Sequence, residues 1–243
     1  MNTTPALDRI RIVLSRTSHP GNIGAAARAM KTMGLKSLWL VDPLQFPSPV
    51  AQARASGADD VLSAARVVPT LRQALEGTVL AAALTARRRE LGPLRTTARE
   101  AGVEIIRYAA QGEVAIVFGN ETSGLSNDDV GLCALTVTIP TDPAFSSLNL
   151  GAAVQILAYE VRLAATKPET YIDARAQLAS HDEIEGFYDH FVTTMTATGF
   201  HDPGNPRRLM PRVRRLFGRI RLEKEEVGIL RGMLSSFRQK SDR

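Results

Sequence analysis

The amino-acid sequence predicts an α/β protein: a parallel sheet covered by helices on both faces, with a small all-helical extension at its C-terminal end. Three observations predict it. Short apolar runs alternate with segments of helical period through the first two-thirds of the chain, and strands separated by helices pair in parallel. Charge and glycine content change after Lys167, beyond which only helical periodicity continues. The length of 243 residues suits a core domain with a smaller appendage better than one ordinary domain or two large ones.

Taken in order, Arg9–Ser15 (RIRIVLS) and Ser37–Val41 (SLWLV) read as strands, as do Thr78–Thr85, Val114–Gly119 and Leu135–Pro140. Between them, Ile23–Met33 is an alanine-rich helix that stops at Gly34. Thr70–Glu76 follows a capping threonine, and Thr96–Ala110 repeats its apolar residues at helical spacing. Leu150–Ala165 is the longest helix of this part. These elements make residues 1–167 one domain, and the polar stretch 168–180 a linker. Residues 181–243 form the extension. There Asp182–Thr198 carries Ile184, Phe187, Tyr188, Phe191 and Met195 on one side, and Gly199–Pro206 breaks the chain. Two further helices are expected around Arg207–Gly218 and Glu223–Gln239.

A hydrophobic fraction of 44% with 23% charge is enough for a packed core. The single cysteine, Cys133, excludes an internal disulfide and a multi-cysteine zinc site, and its apolar surroundings make it a small buried hydrophobe. The first eight residues contain no apolar signal core, and no apolar run reaches membrane-spanning length, so a cytoplasmic protein without a membrane partner is expected. The net charge of +5 is unevenly spread. Residues 205–243 hold 12 Lys and Arg against 4 Asp and Glu, which leaves 18 basic and 21 acidic residues in the rest. A mildly acidic body with a cationic end predicts a polyanion-binding attachment.

Ligands of open parallel sheets bind beyond the carboxyl ends of the strands, so the loops there hold the candidate chemistry. The first is T-S-H-P-G-N-I-G-A-A-A-R, Thr17 to Arg28, whose glycines allow a tight turn into a helix and whose Arg28 stands one turn inside it. His19 reads as a loop hydrogen-bonder. Taken alone, this segment favours a solvated arginine on a helix over a functional one. After Thr78–Thr85 come Arg87, Arg88 and Arg89, a surface charge run or a contact to RNA phosphate. After Val114–Phe118 comes G-N-E-T-S-G-L-S-N-D-D, in which Gly119 and Gly124 bring bare backbone close to a ligand and Asn120 and Glu121 supply polar groups. The last loop, S-S-L-N at 146–149, offers two hydroxyls and backbone groups ahead of a long apolar helix. No metal cluster and no nucleophilic triad emerge, so no metal is expected.

Three of these elements in order, N22-x-G24-x-x-x-R28, I-V-F-G-N-E-T-S-G-L (116–125) and I-P…S-S-L-N-L (139–150), resemble the three motifs of the SPOUT methyltransferases. The opening A-R-A-M-K-T-M-G-L-K-S-L-W-L-V-D-P (27–43) and the tail G-F…R-R-L-F…I-L-R-G (199–232) resemble the bacterial branch of that superfamily that methylates cytidine or uridine 32 of the tRNA anticodon loop. The similarity covers nearly the whole chain. It implies a sheet whose C-terminal part is threaded into a trefoil knot, a homodimer, and S-adenosylmethionine as methyl donor. By motif, it implies that Leu84, Thr85, Ala86, Gly119, Ile139, and Ser146, Ser147, Leu148, Asn149, Leu150 and Gly151 hold that cofactor. Arg28, Ser147 and Asn149 become the catalytic residues. Two departures stand out: position 145 is Phe where relatives often carry Tyr, and Arg88 fills a place usually held by a small residue.

The expected partner is tRNA, not DNA. The RNA-facing residues are Asn22, Glu121 and Arg87–Arg89, with Arg207, Arg208, Arg212, Arg214, Arg215 and Arg219 of the tail. Between Asn205 and Arg221 there are seven arginines and no acid. Competing readings are a 2′-O-methyltransferase of ribosomal RNA, many of which carry the RNA-binding piece at the other end, and a noncatalytic RNA-binding protein of the same fold. A nucleotide-binding oxidoreductase is disfavoured, because no strand is followed by G-x-G-x-x-G.

Overall fold

The computed structural model describes residues 5–87, 93–166 and 177–241. Arg88, Arg89 and most of the segment expected as a linker lie outside the described residues. After a short 3-10 turn at Pro5–Arg9, the elements in order are β1 (Ile10–Ser15), α1 (Pro20–Met33), β2 (Ser37–Val41), α2 (Pro49–Ala55), α3 (Asp59–Ser63) and β3 (Arg66–Val68). Then come α4 (Leu71–Leu75), β4 (Thr78–Leu84), β5 (Leu94–Thr97), α5 (Ala98–Ala109), β6 (Glu113–Phe118), α6 (Asn127–Gly131), β7 (Leu135–Thr138) and α7 (Leu150–Ala165). The extension is α8 (His181–Ala197), α9 (Leu209–Gly218) and α10 (Lys224–Ser241).

The strands form one seven-stranded parallel sheet in the order β3-β2-β1-β6-β4-β7-β5. On one face Ile10, Ile12, Leu14, Leu38, Leu40, Ile116, Phe118, Leu135 and Val137 pack under α1, α5 and α7. On the other, Val13, Trp39, Val41, Ala81, Ala83, Ala115 and Val117 meet α4 and α6. Each fully buried Ile or Leu contributes about 1.5–3 kcal/mol, so both faces are needed to hold strands this short. Cys133 belongs to the second face, just ahead of β7 rather than within it, and burial pushes its thiol pKa up, out of reactive range.

Several boundaries differ from the sequence reading, each for a local reason. The helix expected from Ile23 begins at Pro20, because His19 caps it by accepting from the Gly21 amide at 3.1 Å. The helix expected from Thr96 begins at Ala98: Thr97 is the cap of a capping box with Glu100, and Leu94–Thr97 is strand β5, paired with β7. The helix expected from Arg207 begins at Leu209. Pro211 has no N–H, so it is tolerated only in the first turn, and Arg207 itself is left-handed at φ 49°. Strand β3 and helices α2 and α3 were too short to show a period.

The extension has its own apolar cluster, with Phe187, Tyr188, Val213, Leu222, Val227 and Leu234 buried. The stripe expected on α8 packs there as a set, and Phe217 meets Phe187 edge-on at 4.8 Å. On α9, Phe217 packs into this cluster and Leu216 stays 57% exposed. Between the extension and the sheet lies a cavity of about 870 Å³, so polar bridges carry much of the docking. Arg72 of α4 reaches Glu185 of α8 at 2.9 Å, and the Gly77 amide donates to Asp182 at 3.1 Å. Arg221 donates to the Ala134 carbonyl and to Glu104, both at 3.1 Å. Among the described residues no helix is long and apolar enough to cross a membrane.

Candidate active site

Strands β1 and β6 are neighbours, so the loops that leave their carboxyl ends lie side by side. Glu121 of the second loop braces them. Its Oε2 accepts from the Ser18 amide at 3.0 Å and the Ser18 hydroxyl at 2.9 Å, and its Oε1 accepts from Asn22 Nδ2 at 2.8 Å. Burial works to raise the pKa of this carboxyl, but the bonds from Asn22 and Ser18 outweigh it and hold the group below the usual carboxylate range. Asn22 then passes the brace onward: its Oδ1 accepts from Asn149 Nδ2 at 3.0 Å. Asn149 in turn caps α7, its Oδ1 accepting from the Gly151 and Ala152 amides at 2.9 and 3.4 Å. Three loops from distant parts of the chain thus share one chain of hydrogen bonds. The bond to a charged oxygen anchors it, because charge-assisted bonds are the stronger kind.

Beside the brace, Asn120 donates to the Arg16 carbonyl at 2.6 Å and accepts from the Thr122 amide at 2.8 Å. Arg16 forms an ion pair with the buried Asp129. Gly119 is required by the loop itself: a Cβ there would stand 2.3 Å from the Gly124 carbonyl carbon, on backbone that cannot yield. The glycine expected to admit a ligand therefore first admits its own chain.

The residues expected to hold the cofactor fall together at the ends of three adjacent strands. Leu84 ends β4 with Thr85 next to it, Gly119 follows β6 and Ile139 follows β7, with β4 lying between the other two. The ladder runs one bond beyond β4, the Thr85 amide donating to Val137 at 3.0 Å, and Ala86 and Arg87 emerge exposed. Ser146, Ser147 and Leu148 are exposed in the 139–149 loop, and Leu150 is buried at the start of α7. Ser147 makes no side-chain hydrogen bond among the described residues, while Phe145 is 80% exposed. Arg28 lies six residues beyond Asn22 on α1, exposed, in a recess it shares with Gly151.

Three residues expected to face RNA are spoken for inside the protein. Glu121 spends both carboxylate oxygens on the brace. Arg214 makes a two-pronged pair with Glu185 at 2.5 and 2.8 Å and stacks on Tyr188 at 4.4 Å, which removes it from the phosphate-facing set. Asn22 has both ends of its amide engaged. In the tail, Arg207, Arg208, Arg212 and Arg219 are exposed and Arg215 is partly so. The roles of Ser18 and Asn149 as brace members escaped the sequence reading. Their signal was only that S-H-P-G-N contains a helix cap, His19, and S-S-L-N ends in one, Asn149.

A rigid polar brace next to an exposed guanidinium, at the carboxyl edge of a parallel sheet, is equipped to orient a substrate and steady negative charge. The chain belongs to the SpoU rRNA Methylase family, whose model matches residues 9–159. A second model, the C-terminal domain of the tRNA methyltransferase TrmJ, matches residues 182–243. The chain is 49% identical over 240 residues to the tRNA (cytidine/uridine/adenosine-2′-O-)-methyltransferase TrmJ of Pseudomonas aeruginosa, covering 94% of this chain and 93% of that one. It is 46% identical over 240 residues to the tRNA (cytidine/uridine-2′-O-)-methyltransferase TrmJ of Klebsiella pneumoniae, covering 97% and 98%. The crystal structure of TrmJ from Z. mobilis superposes with a TM-score of 0.82 at 35% identity, covering 93% of this chain and 97% of that one.

Proposed function

We propose that this protein transfers a methyl group from S-adenosylmethionine to a ribose 2′-hydroxyl of tRNA, at cytidine or uridine 32 of the anticodon loop. The observation that carries the reading is the Glu121–Asn22–Asn149 brace beside Arg28, in a chain similar to TrmJ over almost its full length. The extension matched at residues 182–243 favours tRNA over ribosomal RNA. Intact Arg28, Ser147 and Asn149 speak against a noncatalytic protein.

The ends of β4, β6 and β7 fit the cofactor. Half-buried Leu84 and Ile139 offer apolar surface, and beyond the last ladder bond the backbone of Ala86, Gly119, Ser147 and Leu148 is placed to bind an adenosyl group. When bound, S-adenosylmethionine supplies an electrophilic methyl group on a sulfonium and leaves as a neutral thioether. The chain's own task is then in-line positioning and help with the hydroxyl proton. A guanidinium keeps its proton throughout the working pH range of a protein, so Arg28 acts as a donor. It bridges the 2′-oxygen and an adjacent phosphate and stabilises the developing alkoxide, while the proton leaves to phosphate or water. Asn149, held at both ends, and Ser147 orient the ribose.

The same reading makes residues 1–167 the methyltransferase domain and 181–243 a basic tRNA-binding extension. It makes the protein a cytoplasmic homodimer, with the exposed Tyr159 and Leu163 of α7 available to a second copy, whereas Ala26, Ala27 and Ala29 of α1 are buried in the chain's own core. It includes the trefoil knot, with which the place of β7 between β4 and β5 in the sheet is consistent. Mass-spectrometric nucleoside mapping of tRNA from cells with and without the protein tests the activity; an unchanged 2′-O-methyl content at position 32 would remove it. With purified protein, Arg28→Ala is expected to abolish transfer while cofactor affinity persists. Arg28→Lys fails as well, because an ammonium cannot bridge two oxygens as the planar fork does. Turnover near wild type in both variants would exclude Arg28 from the mechanism.

A further inference from the structure

We infer that Arg54 forms, together with Arg28, a binding site for an RNA phosphate next to the target ribose; this rests on the methyltransferase reading above. The two arginines line one open recess of about 410 Å³ between α1, α2 and the first two turns of α7. Its polar lining is completed by Thr32, Ser56 and Gln155, its remaining walls are alanine and Gly151, and no acidic residue lines it.

The charge balance of the recess points to its ligand. Several guanidiniums of the core and the extension have an acid: Arg11 pairs with Glu113, Arg16 with Asp129, Arg72 and Arg214 with Glu185, and Arg221 with Glu104. Arg28 and Arg54 have none among the described residues. Two cations that open onto one recess repel each other, and an anion between them turns that cost into two charge-assisted interactions. Guanidinium forks match the geometry of phosphate, each able to donate two parallel hydrogen bonds.

The fold seats Arg54 deliberately. Helix α2 crosses α1 so closely that a Cβ on Gly24 would stand 2.1 Å from the Ala51 carbonyl oxygen and 2.9 Å from Arg54 Cβ. The stem of Arg54 also lies 3.6 Å from where a Cβ on Gly21 would be. Both glycines belong to the same loop and helix as Arg28, so the motif that presents Arg28 also makes the groove for the stem of Arg54. The helix that carries Arg54 is held to length: Ser48 caps its start ahead of Pro49, and Ser56 ends it in a left-handed turn at φ 47°. Gly151 places the recess against the helix that Asn149 caps, one turn from the brace and next to the loop assigned to the cofactor. A phosphate held there lies beside the ribose that Asn149 and Ser147 orient.

The test uses the full-length protein and an unmodified tRNA transcript, with steady-state methylation, tRNA binding across a salt series, cofactor calorimetry and melting measured on each variant. Arg54→Ala is expected to lower kcat/KM roughly 10- to 100-fold, chiefly through KM, as fits the removal of a hydrogen-bonded charge from the phosphate. It should flatten the log–log salt slope of tRNA binding by about one unit. Cofactor affinity and melting temperature stay at wild type. Arg54→Lys keeps the slope, because the charge remains, and recovers only part of KM. If Arg54→Ala binds and methylates tRNA as wild type does, with an unchanged slope, the phosphate site is overturned while the methyltransferase reading stands. A lowered melting temperature that Arg54→Lys does not restore would overturn it in favour of a packing role. If the wild-type protein leaves tRNA unmethylated, the reading falls and takes this site with it.

Discussion

Arg212 and Arg214 stand two residues apart on α9 and do different work. Arg212 is exposed, whereas Arg214 lies over Tyr188 and grips Glu185, whose side chain is 7% exposed and which also receives Arg72. Desolvation works to raise the Glu185 pKa, but the Arg214 bonds outweigh it and hold the carboxyl down. Replacing one partner of such a pair leaves a buried charge short of its counter-ion. Arg214→Ala is therefore expected to destabilise by about 3 kcal/mol, read as a shift of the denaturation midpoint, and Arg212→Ala by a few tenths at most. Equal stability of the two variants would contradict this assignment. His181 at the start of α8 adds a pH dependence. Burial disfavours its imidazolium and lowers its pKa below the ordinary 6.5; Glu185 and Asp182 oppose this, and Arg72 and Arg214 add to it. The unfolded chain takes up the proton near pH 6.5 and the folded chain only at lower pH, so this contribution to stability is complete above 6.5 and is lost as pH falls below it. The melting temperature should drop between pH 7.5 and 5, and His181→Gln should flatten that drop. An identical pH profile in wild type and variant would dismiss His181 as its source.

At the scale of elements, the site is made by loops that end in caps. His19, Ser126 and Asn149 each satisfy amides at the start of a helix, and in doing so they set where the following side chains point. Gly119 shows how little slack these loops have. Gly119→Ala puts a methyl group into the Gly124 backbone, so the 119–125 loop must shift and take Glu121 with it. The expected outcome is a loss of about 1–3 kcal/mol in stability together with weaker S-adenosylmethionine binding, both measurable by calorimetry. A variant that keeps full stability and loses only cofactor affinity would show that the glycine serves the ligand directly.

At the scale of the whole molecule, the extension meets the core across a cavity and a few polar bridges and keeps its own apolar cluster. Replacing Arg207, Arg212 and Arg219 together by alanine should therefore leave the fold and cofactor binding intact. It should weaken tRNA binding and flatten its salt dependence by about one unit of log–log slope for each phosphate that is no longer neutralised. Filter binding across a salt series measures this, and an unchanged slope would return tRNA recognition to the core, with Arg87 and the Arg28–Arg54 recess. Arg214 is left out of this set because its replacement would confuse folding with binding.

The order and kind of the main elements follow from the sequence alone, because apolar period and capping residues act over a few positions: Leu150–Ala165 and the α8 stripe at Phe187, Tyr188 and Phe191 are local facts. The three motifs around Arg28, Glu121 and Asn149 were legible in the same way. What the chain alone did not reveal is how they meet. Edge strands β3 and β5 owe their pairing to neighbours rather than to apolar content, so Leu94–Thr97 carried no signal of its own. The seven tail arginines read alike as a charge run; only tertiary packing separates Arg214 and Arg221, bonded to groups far away in sequence, from Arg212 and Arg219 in solvent. Arg54 sits in a short helix with no visible motif, and it becomes a partner of Arg28 only because Gly24 lets α2 cross α1 closely. Hydrogen bonds and charge pairs of this kind depend on distance in space, which a periodic pattern along the chain does not encode.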